Sequence, residues 1–231
     1  DASLSSEMLR RANSALFGLR AEVNSVDRAV TMLGLDRVKS LAMTLGIGSY
    51  VKTALRLAVL RRCWRHSLGC ALLAEEFAEA CQQQPDQAYT AGLLHDVGRL
   101  ALLVKYPQSY ADLLSVVVEN HFSILQSERD LFDIDHCEAG AWLAKEWDFP
   151  KVLVSVIGDH HDPAGSLTLD LTHLVRVTCR LADSLGFEVV QPETPEAPET
   201  ILKELPKPVR LGAEDIETLR QRLTEKVNAL E

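Results

Sequence analysis

Aromatic residues are scarce in this chain, at 6% of 231 positions, and no apolar run reaches the length of a membrane span. A transmembrane helix is therefore not expected. No secretory h-region is visible, and the chain opens on Asp1-Ala2-Ser3-Leu4 without Met, which fits a segment cut from something longer. Basic tracts are missing too. The net charge is −9, which argues against binding along a nucleic-acid backbone. Cysteine is limited to Cys63, Cys70, Cys81, Cys137 and Cys179, an odd set with no CxxC pair. That pattern predicts reduced, buried thiols in a cytoplasmic protein rather than a disulfide framework. Strand-type alternation and internal repeats are also absent.

What remains is helical. Apolar residues make up 47% and charged residues 25%, ordinary values for a globular chain. Its length suits one large domain or two small ones. Almost everything before residue 190 carries helix periodicity. Ser25 is placed to cap a helix bearing Val26, Val30 and Leu33, and Gly34 to end it. A second helix restarts at Asp36 with Val38, Leu41 and Leu45 on one face. Val59, Cys63, His66, Cys70, Leu73 and Phe77 recur at steps of three and four and make one long apolar stripe. Pro85-Asp86 opens a helix expected to run unbroken through Ala88, Ala91, Leu94, His95 and Leu102. Gly92 and Gly98 sit inside it at a cost of ~1 kcal/mol each, which a close approach of another backbone or a ligand would explain.

Beyond Pro107, helices are expected from about Tyr110 to Glu119 and through Ile124, Glu128 and Leu131. Asp135 with Glu138 makes a capping-box start, with His136 in the first turn. Pro150 is expected as the first residue of a helix whose inner face is Leu153, Val156, Ile157 and His160, ended by Asp162-Pro163-Ala164-Gly165. Another helix carries Leu171, Leu174, Val175, Cys179 and Ala182 up to Asp183. Residues 191–210 read as a Pro-rich arm. Residues 211–231 read as an amphipathic helix on Ile216, Leu219, Leu223, Val227 and Leu230.

Seven imidazole or carboxylate residues stand at intervals along these helices: His66, His95, Asp96, His136, His160, His161 and Asp183. Singly, each has an ordinary reading. His66 fits a hydrogen-bonded core histidine, and His160-His161 fit imidazolium at a helix C-terminus. His136, at a helix N-terminus, is disfavoured as a cation and so favoured as a neutral ligand. Asp183 follows an apolar face and needs a partner if buried. His121 and His173 fit no ligand spacing. As a set, imidazole with carboxylate suits first-row ions such as Fe, Mn, Ni or Zn.

The series His66, His95-Asp96, Asp183 resembles the HD superfamily of metal-dependent phosphohydrolases. His136 and His160-His161 resemble the two-metal version in the HD-GYP phosphodiesterases of cyclic di-GMP. A longer likeness runs through Leu9–Ala15, Val26–Gly34, Trp64–Ser67, Gly92–Leu100, Asp135–Gly140 and Trp147–His161. In that order these segments resemble the HDOD domain, the HD-related output domain of bacterial signalling proteins, over roughly residues 1–187.

The resemblance implies an all-α, compact multi-helix HD-superfamily bundle over 1–190, with an N-terminal helical part to about 50 and a metal-site core over 51–190. It also implies a bridging Asp96, with His66, His95 and Asp183 on one ion and His136, His160 and His161 on the other. Two departures matter. The chain reads His161-Asp162-Pro163-Ala164-Gly165-Ser166 where the Gly-Tyr-Pro loop would follow, and Arg99 replaces the lysine after His-Asp-x-Gly. Both count against cyclic di-GMP hydrolysis. Arg99 keeps a charge suited to contacting phosphate. The expected role is a signalling domain with a mono- or dinuclear centre, partnered by other signalling proteins or a fused sensor or receiver domain. The alternative is hydrolysis of a nucleotide or other phosphoester, with the ions lowering the pKa of water and clamping phosphate oxygens.

Overall fold

The computed structural model describes residues 2–13, 23–52, 58–162, 169–190, 195–206 and 213–230. Among these residues the regular elements are all helical and no strand occurs, as the periodicities require. The helix stop expected at Pro163-Ala164-Gly165, Ser14-Ala15 of the family likeness, and parts of the arm lie outside the described residues.

Helices α1 (Ala2–Ala12), α2 (Val26–Leu33) and α3 (Leu35–Lys52) form the N-terminal layer. The Ser25 side chain accepts from the Arg28 N–H and so caps α2. Gly34 leaves α2 at φ 85, a left-handed conformation that side chains disfavour, and its N–H bonds the Val30 carbonyl. Met8, Ala12, Ala29, Val38, Leu41 and Leu45 are buried and belong to the main core.

The centre of that core is α4 (Ala58–Phe77), which packs against α5 (Pro85–Leu94), against α11 (Leu171–Ala182) and against α13 (Ala213–Leu230). Trp64, Leu68 and Leu73 on α4 are at most 2% exposed. On α13, Ile216, Leu219, Leu223, Val227 and Leu230 are all buried, as their spacing predicts.

The helix expected to run unbroken from Ala88 to Leu102 is two helices. α5 stops at Leu94, and α6 (Val97–Lys105) begins after His95-Asp96. Asp96 sits at φ −100, ψ 17, off the helical path. The turn lets both side chains point into the interior, which a straight helix does not allow for adjacent residues.

Next come α7 (Pro107–Asn120), α8 (Ile124–Phe132), α9 (His136–Glu146) and α10 (Lys151–Asp159). α7 starts three residues before the expected Tyr110, with Pro107 in its first turn. α9 begins with the predicted capping box, Asp135 with Glu138. Pro150 is the residue before α10 rather than its first, because its ψ of 141 is extended. α10 ends at Asp159, so His160 and His161 lie in the turn beyond it.

After α11 the chain makes a π turn, Asp183–Phe187. The stretch expected as an irregular arm contains α12 (Pro198–Ile201) and a 3-10 turn, Leu202–Glu204. Ile201, Leu202 and Leu205 are buried in the main core. Their apolar character, between prolines, fastens this stretch to the body.

Candidate metal centre

Two glycines bring the His95-Asp96 turn against its neighbours. At Gly92 an added Cβ would lie 2.8 Å from the Ala71 Cα, so α5 crosses α4 backbone to backbone. At Gly98 it would lie 1.9 Å from the His136 carbonyl oxygen, so α6 crosses α9 just as closely. The first crossing carries His95 to His66, and the second carries Asp96 to His136. The close approach expected for these glycines is to backbone.

Five of the predicted residues converge in the interior. His66, His95, Asp96, His136 and His160 are each no more than 3% exposed. Asp96 Oδ1 lies 3.4 Å from His136 Nε2 and 3.4 Å from His160 Nε2. Asp96 Oδ2 lies 3.9 Å from His66 Nε2 and 3.8 Å from His95 Nε2. His66 Nε2 and His95 Nε2 are 3.3 Å apart. His161 is half-buried, its ring 4.3 Å from that of His160 and 5.2 Å from that of His136.

The far side of each ring fixes its tautomer. His95 Nδ1 donates to the Gly92 carbonyl at 2.7 Å, and His160 Nδ1 donates to the Ile157 carbonyl at 3.0 Å. His136 Nδ1 donates to Glu128 Oε2 at 2.6 Å. A carbonyl or carboxylate oxygen only accepts, so Nδ1 bears the proton and Nε2 of the neutral ring bears a lone pair. The interior therefore receives lone pairs and a carboxylate oxygen facing one another. Asp96 Oδ1 and the Nε2 atoms of His136, His160 and His161 are buried and make no hydrogen bond. Acceptors so placed repel unless a cation lies among them, and the donor set fits a borderline first-row ion.

Protonation follows the same geometry. Burial, reinforced by the neighbouring His160 and His66, holds His95 well below the ordinary imidazole range. Burial and then the Arg99 charge hold His136 down, and burial holds His161 well down. Burial alone would raise the Asp96 carboxyl, but Arg99 and His95 outweigh it and keep Asp96 ionised. His66 goes the other way: burial opposes its protonation, but Asp183 outweighs burial and raises it.

Asp183 and Arg99 stand differently from the other five. Asp183 is half-buried, and its Oδ1 meets His66 Nδ1 at 3.2 Å, on the side of the ring away from Asp96. In this arrangement it orients His66. Arg99 is 5% exposed, and its Nε donates to Asp96 Oδ2 at 2.8 Å. One oxygen of the expected bridging carboxylate is thus paired with a guanidinium, and the other is free. Arg99 Nη1 has no hydrogen bond and lies 3.9 Å from Glu128 Oε1. His121 is exposed and His173 only half-buried.

Glu128, Tyr110 and Cys179 belong to the surroundings of the site without having been expected there. Glu128 is fully buried on α8 and accepts from the His136 backbone N–H as well as its ring, and from the Tyr110 hydroxyl. The signal in the sequence is a carboxylate in register with Ile124 and Leu131 on an apolar face, which requires a partner. Cys179 Sγ lies 3.5 Å from His66 Nε2. Nothing in the spacing separates it from the other apolar positions of α11.

The HDOD domain family model matches residues 1–163, more than half of the chain. A curated relative, an uncharacterized protein of Treponema pallidum (strain Nichols), is 26% identical over 164 residues, covering 70% of this chain and 32% of that protein. The chain thus spans about a third of that relative's length. Among solved structures, an HDOD domain protein of unknown function from Geobacter sulfurreducens has a TM-score of 0.75 at 26% identity, covering 100% of this chain and 82% of that one. A candidate phosphohydrolase from Shewanella amazonensis SB2B has a TM-score of 0.72 at 22% identity, covering 100% and 84%. A candidate signal transduction protein from Marinobacter aquaeolei VT8 has a TM-score of 0.72 at 23% identity, covering 100% and 51%. The last two likenesses concern the fold.

Proposed function

Because the chain belongs to the HDOD domain family, we propose that it is a regulatory domain of bacterial signal transduction whose buried imidazoles hold one or two divalent transition-metal ions. One observation carries the metal part of this reading. Asp96 Oδ1 and the Nε2 atoms of His136, His160 and His161 are buried together with no hydrogen-bond partner. Such atoms cost roughly 1–3 kcal/mol each when left unmet, and a cation among them removes that cost. Asp96, His136, His160 and His161 would hold it, with His66 and His95 on the other side. The regulatory part rests on the family and on the naming of a structural neighbour. Its partners would be other signalling proteins or a domain fused to it, in the cytoplasm. The cysteines are all free and buried, and no helix of the described residues is long and apolar enough to cross a membrane.

A bound ion would supply Lewis acidity and a lowered pKa for water, so phosphoester hydrolysis is the second reading. Arg99 Nη1, buried without a hydrogen bond, is the observation that favours it. Against it, Arg99 is spent on Asp96 and only 5% exposed. The test is paired. Elemental analysis of protein purified without chelator should find Fe, Mn, Ni or Zn, lost in Asp96→Asn and His136→Ala. A screen of nucleotides, cyclic dinucleotides and simple phosphoesters should then find no metal-dependent turnover. Metal-free wild-type protein removes the proposal, and robust turnover abolished by the same variants replaces regulation with catalysis.

A further inference from the structure

The pair His66 and His95 faces a third donor that no ligand pattern includes. Cys179 Sγ on α11 lies 3.5 Å from His66 Nε2, and His66 Nε2 lies 3.3 Å from His95 Nε2. The three donor atoms are all within 4.8 Å of one another. Cys179 is 4% exposed and forms no disulfide.

The two nitrogens cannot satisfy each other in their neutral forms. His95 Nδ1 is committed to the Gly92 carbonyl at 2.7 Å. His66 Nδ1 faces two acceptors, the Phe187 carbonyl at 3.1 Å and Asp183 Oδ1 at 3.2 Å. With both rings neutral, each Nδ1 bears its ring's proton, and two lone pairs meet at Nε2. The single S–H of Cys179 can serve only one of them. A tetrahedral Zn ion, with Zn–N of about 2.05 Å and Zn–S of about 2.3 Å, needs edges of about 3.4 Å between nitrogens and about 3.6 Å between nitrogen and sulfur. Two of the three observed separations are 3.3 and 3.5 Å, and the third, between His95 and Cys179, is within 4.8 Å.

Asp183, the acidic residue that the family resemblance implies for this position, is turned to the opposite edge of His66. We infer that Cys179, together with His66 and His95, ligates a metal ion, so that this half of the centre is a nitrogen–sulfur site suited to zinc. The inference rests on the metal centre proposed above and names a ligand within it. Metal uptake forms the sulfur–metal bond, breaks the S–H bond and releases that proton to water. A thiolate donor selects against Mn, which prefers oxygen ligands.

Cobalt(II) added to the full, metal-free chain is the probe. Its visible d–d absorption reports binding, and a near-ultraviolet sulfur-to-cobalt charge-transfer band reports a thiolate ligand. The wild type is expected to give both. Cys179→Ser and Cys179→Ala are expected to lose the sulfur band, and Cys137→Ser to keep it. Far-ultraviolet circular dichroism checks that each variant is folded. Bound cobalt without a sulfur band in the wild type overturns the role of Cys179 and leaves the imidazole centre standing. So does a band that persists in both Cys179 variants. A shared proton between His66 and His95, with no cobalt bound at all, removes the centre and this inference together.

Discussion

Glu128 presents no atom to the interior cluster, yet it decides which nitrogen of His136 does. Its Oε2 accepts from both the backbone N–H and the Nδ1–H of His136, at 2.9 and 2.6 Å, which leaves Nε2 as the lone-pair side. Outer partners of this kind typically carry 10–100-fold of metal affinity. Glu128→Gln keeps the shape and removes the charge. Zn affinity in a chelator competition is expected to fall about 10–100-fold, with the helical signal unchanged. Unchanged affinity would mean that His136 is held by packing alone. The gathering of His66, His95, Asp96, His136 and His160 in the interior was legible from the ordered set and its likeness to the HD pattern, since singly each has an ordinary reading. Glu128 was visible as an oddity without an address. Cys179 was invisible, since a buried thiol and a ligating thiol have the same spacing.

Two side-chain caps were legible, Ser25 for α2 and the Asp135–Glu138 box for α9, which act as their residue types predict, whereas the Asp170 cap of α11 was not read. The break at His95-Asp96 was not legible either, because its cause is tertiary. The local sequence keeps helix periodicity, and the turn exists only because α4 and α9 are crossed on either side of it. Gly98 makes that crossing testable. An alanine Cβ there would meet the His136 carbonyl oxygen at 1.9 Å, whereas at Gly46 on α3 it would meet nothing within 4 Å. Gly98→Ala is expected to cost about 3 kcal/mol or more. Thermal unfolding of the metal-free protein should then shift down by roughly 6–12 °C. Gly46→Ala should be neutral or stabilise by up to about 1 kcal/mol. Equal melting temperatures for the two variants would contradict the close α6–α9 contact.

For the molecule as a whole, folding gathers titratable groups into a dry interior, and stability inherits their pH dependence. In metal-free protein His95, His136 and His161 are held below the ordinary value of 6.5. The unfolded chain takes up those protons first as pH falls. Their contribution is therefore complete above about pH 6.5 and is lost on acidification, at up to about 1.4 kcal/mol per pH unit for each histidine. His66 has the opposite sign. Its pKa is raised, so its contribution is complete below 6.5 and is lost as pH rises through its folded value. Urea midpoints of metal-free protein are expected to fall from pH 7 to pH 5, and saturating metal to raise the midpoint at pH 7. A midpoint flat across that range would mean these imidazoles are not held neutral in the folded protein. The helices were legible from apolar stripes, and their bundle from the family resemblance. The docking of residues 198–205 onto the core was not, because proline density masks three apolar residues that find the core only once it exists.

Anomalous diffraction from zinc-soaked crystals, recorded on both sides of the zinc edge, tests the centre most directly. The account predicts a peak inside the bundle, among Asp96 Oδ1 and the Nε2 atoms of His136 and His160, with any second peak between His66, His95 and Cys179. Zinc found only on the surface, with that interior free of anomalous signal, would contradict it.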